Sequence, residues 1–165
     1  MTTGHSNALY YKHQHRRPMT QTFADYVATQ DARNTIELNV RKWTLMLCEA
    51  LQDDFINDSI KRQQFFGAGE YSNERIEAIK RGEDLYEFIV ETGRKYHKII
   101  MVVPNGDRPA SRSVHAFVDK KTGELYKASS FKAPAKGVRF DLRVITDREF
   151  VLENCDWAGG YLYQR

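Results

Sequence analysis

The spacing of apolar and polar positions changes period once along this chain, near residue 94, and divides it into a helical part and a sheet part. Before that point apolar side chains recur every three or four residues. Ile36, Val40, Trp43, Leu47 and Leu51 fall at intervals of 4, 3, 4 and 4, which lines one side of a helix at about 3.6 residues per turn. Leu45, Met46 and Cys48 widen the stripe, so this helix is expected to be well buried. Asn34 is a good N-cap for it, with Glu37 three positions on to bond back. It is expected to run to about Phe55 or beyond and to stop before a turn at Gly67-Ala68-Gly69. A shorter helix over residues 23–30 precedes it, with Phe23, Tyr26 and Val27 on one face, and Asp31 to Arg33 read as a polar joint. After the glycine turn, Ser72 or Asn73 opens a charged helix through Arg81, stopped by Gly82. Asp84-Leu85-Tyr86-Glu87 has the arrangement of a capping box and predicts another short helix, closed by Gly93 in a left-handed conformation.

Then the period becomes 2. Tyr96 to Val103 is rich in β-branched and aromatic residues and has the length of a strand. Pro104 to Pro109 reads as a loop. Ser113 to Asp119 alternates, with Val114, Ala116 and Val118 on one face and His115, Phe117 and Asp119 on the other. Asp119-Lys120-Lys121-Thr122-Gly123 is a hairpin signal: the aspartate can accept from backbone N–H groups ahead of it, and the glycine can take φ > 0 after a type I turn. Glu124 to Ala128 returns as the next strand. Ser129 to Gly137 is a loop stiffened by Pro134, and Val138 to Val144 predicts a fourth, edge-like strand. Thr146-Asp147-Arg148-Glu149 reads as a capping box opening a helix over Phe150, Val151 and Leu152. The tail from Trp157 to Tyr163 is too apolar to hang loose and is expected to pack back on the sheet. The fold class is α+β: N-terminal helices, a small three- to four-stranded antiparallel sheet, and a C-terminal helix. Three regions follow: an arm and short helix at 1–33, a helical region at 34–93 and the sheet with its helix at 94–165, the last two forming one compact unit.

Composition narrows the class further. With 41% hydrophobic and 28% charged residues the chain is of soluble globular type, and no apolar run approaches the roughly 20 residues a membrane helix needs. The first 18 residues lack the apolar stretch of a signal peptide, and the two cysteines, Cys48 and Cys155, make neither a disulfide framework nor a zinc site. A reduced, cytosolic setting is expected.

Charge is the feature that points outward. Residues 1–93 carry a net −3 and residues 94–165 a net +6, and Lys120 to Arg143 concentrate +5 in 24 residues. The candidate surface is Lys120, Lys121, Lys127, Lys132, Lys136, Arg139 and Arg143 with Tyr126 and Phe131 interleaved. Cations neutralise phosphates, and single strands also need aromatic faces for stacking bases. The plainer account is an edge strand and turn whose lysines discourage edge-to-edge pairing.

Other groups read as structural. His115 and Asp119, four apart in a strand, lie about 13 Å from each other and form no acid–base pair; His97 reaches His115 only if the strands pair in that register. Ser111, Ser113, Ser129 and Ser130 are near in sequence without the character of a nucleophile. His5, His13 and His15 sit on a polar arm that holds no fixed metal geometry. Asp53, Asp54 and Asp58 lack the pattern of a calcium loop and read as solvent-facing. No metal, cofactor or catalytic constellation is expected.

The segments SVHAFVDKKTGELYKASSFKAPAKGVRFDL and DWAGGYLY resemble part of small proteins encoded by tailed bacteriophages, over about Tyr86 to Arg165. The resemblance implies a phage origin and action in a bacterial cytoplasm or incorporation in a virion; it assigns no residue a role. The expected function is a phage-encoded, non-enzymatic binding protein that contacts nucleic acid through the basic hairpin and loop. The alternative is a virion component or a protein-interaction factor acting on a host complex.

Overall fold

The computed structural model describes residues 21–67 and 69–163. The arm histidines His5, His13 and His15 lie outside them. The chain divides into two compact units, one ending at Asn34 and the other running from Thr35 to Arg165.

In the first unit, α1 (Phe23–Ala28) is capped by Thr22, whose hydroxyl accepts from the Asp25 N–H. The chain breaks at Thr29 and helix α2 (Gln30–Phe66) begins at once. The polar joint expected at Asp31–Arg33 is therefore helical, and Asn34 caps nothing. Arg33 stabilises the earlier break. Its guanidinium lies 3.8 Å from the Tyr26 ring centroid and donates to the Tyr26 carbonyl and the Thr29 hydroxyl.

In the second unit, α2 buries Val40, Thr44, Leu47, Cys48, Leu51 and Phe55. The Thr44 hydroxyl is satisfied by donating to the Val40 carbonyl. Leu45 and Met46 do not widen this stripe; they remain 45% and 38% exposed, because at 3.6 residues per turn they fall on the far side of the helix from the line through Val40, Thr44, Leu47, Cys48, Leu51 and Phe55. Helix α3 (Glu70–Lys80) starts two to three residues earlier than expected, and Gly82 beyond it adopts φ +88°.

The largest departure from expectation follows. Residues 84–93 form no helix but a strand, β1 (Glu87–Thr92). Asp84 sits at φ 55° in a turn instead of capping, and Gly93 is not left-handed. Ile89, Val90 and Thr92 are β-branched, and Phe88, Val90 and Thr92 alternate with Glu87 and Glu91, a period-2 pattern that outweighs the capping-box signal. The sheet is antiparallel with strand order β1-β2-β3-β4-β5, where β2 is Tyr96–Asn105, β3 Arg108–Asp119, β4 Glu124–Lys127 and β5 Phe140–Asp141. Expected loop 104–109 shrinks to a two-residue turn at Gly106-Asp107. The Asp119–Gly123 hairpin forms as anticipated: the Asp119 carboxylate accepts from the Lys121 and Thr122 N–H groups, and Gly123 takes φ +77°. Expected strand 138–144 is only two residues long. Asp141 still pairs with Glu124, but its N–H donates to the Asp147 carboxylate. That same contact replaces the capping box, so helix α4 (Ile145–Asn154) starts without a side-chain cap.

Register sorts the sheet's side chains. Thr92, His97, Val118, Leu125 and Phe140 form one cross-strand row, and Val90, Ile99, Ala116 and Lys127 another, both on the face that meets α2. Glu91, Lys98, Phe117 and Tyr126 form a row on the opposite, outer face. The tail returns to the core, as its apolar character predicted. Trp157 donates its backbone N–H to Asp54 and its indole N–H to Asp58, both at 2.9 Å, and packs against Phe55 and Tyr86. Asp54 and Asp58, expected to face solvent, instead hold this tryptophan. Its indole, with Arg62 beside it, keeps the Asp58 carboxyl below its usual range.

Two glycines separate conformational from packing cost. At Gly106 (φ +59°) a Cβ would meet nothing within 4 Å, whereas at Gly123 it would lie 2.9 Å from Arg143 Cγ and 3.4 Å from Val40 Cγ2. Gly106→Ala is expected to cost only the left-handed penalty, ~1–2 kcal/mol. Gly123→Ala should lose a further ~1–3 kcal/mol from crowding. Urea unfolding of both variants measures this; equal losses would mean that the α2–hairpin contact yields freely.

Candidate functional site

The charged surface is built on the outer face of the sheet, around the β1–β2 turn. Gly93, Arg94 and Lys95 connect the strands, the Gly93 N–H donating to the Tyr96 carbonyl at 2.9 Å. A groove of about 250 Å³ opens beside the turn, lined by Arg94, Lys95, Lys98 and Lys132 with Tyr96, Phe117 and Glu91. Glu91 is the one acid among the described residues lining it, and it pairs with Arg112. Lys120 does not line the groove; its Nζ ties the turn by donating to the Gly93 carbonyl at 2.9 Å.

Aromatic side chains interleave with these cations. Lys98 Nζ lies 4.4 Å from the Phe131 ring centroid and 5.7 Å from that of Phe117. Phe117 is only 1% exposed, covered edge-on by Tyr96, so it supports the face instead of offering a free ring. Phe131 is 45% exposed. It is carried on a loop braced from within. Ser129 Oγ donates to the Ala133 carbonyl, Ser130 Oγ accepts from the Lys132 and Ala133 N–H groups, and Ala128 bridges Pro134. The two loop serines are thus structural bonds.

The cations expected from sequence divide between two places. Lys120, two residues beyond inward-facing Val118, has its charge felt by His97 on the α2 side. Lys132, with Tyr126 and Phe131, belongs to the outer face. Lys127 does not: two residues from buried Leu125, it shares the α2 side of the sheet, where its Nζ lies 4.8 Å over the Tyr163 ring. Arg139 is committed to the backbone, donating to the carbonyls of Leu162, Lys136 and Gly137. Arg143 is exposed but backs against Gly123 near Val40, and Lys121 and Lys136 are exposed at the hairpin tip and loop end. Arg94, Lys95 and Lys98 were missed by sequence reasoning. The signal was present in the run Arg94-Lys95-Tyr96-His97-Lys98, but it becomes visible only once 87–92 is read as a strand and 93–95 as a hairpin turn.

A second cavity, of about 320 Å³, lies where β4 parts from β3. Ser113, Val114, His115, Lys127 and the tail residues Trp157 and Tyr163 line much of it. His115 is the extra residue of a β-bulge, since Ile99 pairs with Ala116 and Ile100 with Val114. The bulge turns its ring away from the Phe117 side, where alternation put it, toward Phe88 and Tyr161. Its Nε2 is 2.8 Å from the Tyr161 hydroxyl. His97 is not its partner; His97 Nδ1 lies 2.8 Å from the Thr92 hydroxyl across the β1–β2 pair. Burial pushes the His115 imidazole down to about 4 and the Tyr161 phenol well above its ordinary value, so the two meet as neutral groups sharing one proton. Burial likewise lifts the Cys48 thiol to about 12 and that of Cys155 to about 11, leaving both protonated. Among the described residues no group of three or more His, Cys, Asp or Glu is arranged to hold a metal ion.

The His115 contact carries a pH dependence. An imidazole near 4 in the folded chain and ~6.5 unfolded takes up its proton more readily when unfolded. Its contribution is therefore full above the unfolded value and is lost as pH falls toward the folded one. Between pH 7.5 and 5 the wild type is expected to lose ~2 kcal/mol more unfolding free energy than His115→Gln, which retains a hydrogen-bonding side chain without the titration. Urea unfolding at the two pH values measures this, with His97 common to both proteins. Parallel losses would place the His115 ring in water.

No helix of the described residues is long and apolar enough to cross a membrane. No curated protein and no solved structure matches the chain. Residues 23–164 match DUF7717, a family of unknown function. That span holds both helices before the turn at Gly67, all five strands and the aromatic tail, and the chain belongs to this family.

Proposed function

We propose that this chain is a non-enzymatic binding protein that holds nucleic acid on the outer face of its sheet. One observation carries the reading: Arg94, Lys95, Lys98 and Lys132 converge on one groove whose single acid is already paired with Arg112. Four cations brought this close repel one another, and a polyanion relieves the repulsion while releasing its own counterions. The exposed ring of Phe131 beside Lys98 adds the aromatic element such surfaces use. The resemblance of the second half to small proteins of tailed phages supports a phage origin, with action in the bacterial cytoplasm.

A second reading, a virion component or a factor acting on a host protein complex, draws on α1. Phe23, Tyr26 and Val27 are all exposed there, an apolar face of the kind that docks on other proteins.

Fluorescence polarisation with labelled single- and double-stranded DNA distinguishes the two. Binding is expected to weaken with salt, with a log–log slope of roughly −3 if about four cations contact a single strand. Charge reversal at Lys95, Lys98 and Lys132 together should abolish it, while reversal at Lys127 and Lys136 should leave most of it. Undiminished binding by the triple variant, or none by the wild type at low salt, would remove the proposal.

A further inference from the structure

We infer that the polymer held in this groove is single-stranded, and that Phe131 is the platform on which an unpaired base stacks; this rests on the nucleic-acid reading above and deepens it. The groove has about 250 Å³, the scale of one nucleotide's phosphate and sugar. Its cations sit on the rim and floor of one turn: Arg94 and Lys95 in the turn, Lys98 on β2, Lys132 from the facing loop. A duplex meets cations spread along two phosphate tracks, whereas a flexible strand can follow one short concave track.

The ring beside that track is prepared for a base. Lys98 Nζ stands over one face of Phe131 at 4.4 Å, yet nearly half of the side chain faces solvent. An exposed phenylalanine on a mobile loop would collapse onto the nearest apolar surface. Phe131 is kept outward because its neighbours are tied: Ser130 Oγ accepts from two N–H groups of the loop, and the Ala135 N–H donates to the Lys127 carbonyl at 2.7 Å. Lys98 and Lys132, adjacent to the ring, hold the phosphates on either side of the stacked nucleotide. Paired bases in a duplex present no free face to such a ring, so stacking selects the single strand.

The experiment compares a fluorescein-labelled oligothymidylate of about 20 nucleotides with a duplex of equal length, and an oligouridylate in parallel to report the sugar. Either single strand should bind more tightly than the duplex. Phe131→Ala should weaken single-strand binding about 10-fold while leaving the salt slope unchanged, since a base contact and not a phosphate contact is lost. Phe131→Trp should restore or exceed wild-type affinity, which separates a stacking role from damage to the loop. Equal or preferred binding of duplex, or an alanine variant as tight as wild type, overturns the inference and leaves the binding function intact. Loss of binding to both polymers in the wild type overturns both.

Discussion

The register of the β2–β3 pairing is the constraint on which the rest of this molecule depends. Side chains alternate along a strand, so a slip of one residue would send Ile99, Ala116 and Val118 to solvent and carry Lys98 and Phe117 under α2. Burial of the first set against Leu47 and Leu51 therefore determines where the second set goes. The basic face is a consequence of the core: Lys98 is outward because Ile99 is inward.

The register shifts at two places, Val103/Asn105 beside the turn and Ile99/Ile100 in mid-strand, and the mid-strand break builds the second cavity. With His115 as an extra residue, β3 brings both His115 and Ala116 toward the α2 side. The imidazole then needs a polar partner in an apolar setting, since an unmatched polar group there costs several kcal/mol in the strictest reference. Tyr161 provides it. That hydrogen bond spans 46 residues of sequence and ties the tail to the sheet, a task shared with Trp157, gripped by Asp54 and Asp58 from α2. The histidine, two carboxylates and the aromatic tail together close the unit around its core.

Much of this architecture was legible as pattern. The α2 stripe, the Asp119–Gly123 turn, the return of the tail and the α+β class all follow from local periodicity or from one residue's chemistry. The failures were local signals overruled by distant partners. Asp84 with Glu87 looked like a cap, but a strand at 87–92 had an edge of β2 to pair with. Asp147 looked like part of another capping box and instead took the N–H of Asp141. Alternation assigned His115 to the wrong face, since a bulge leaves no mark in composition.

The basic surface shows the same division. The sequence by itself determined that positive charge gathers after residue 94, that lysines flank a tight hairpin, and that a loop stiffened by Pro134 carries Phe131, since each depends on neighbours within a few residues. Only the tertiary structure decided which cations share a face. It joined Lys98 and Lys132 across 34 positions, drew in Arg94 and Lys95, and turned Lys127 and Arg139 toward the tail. The physical reason is that a side chain's direction in a sheet depends on register and bulges, and register is chosen by what the opposite face buries.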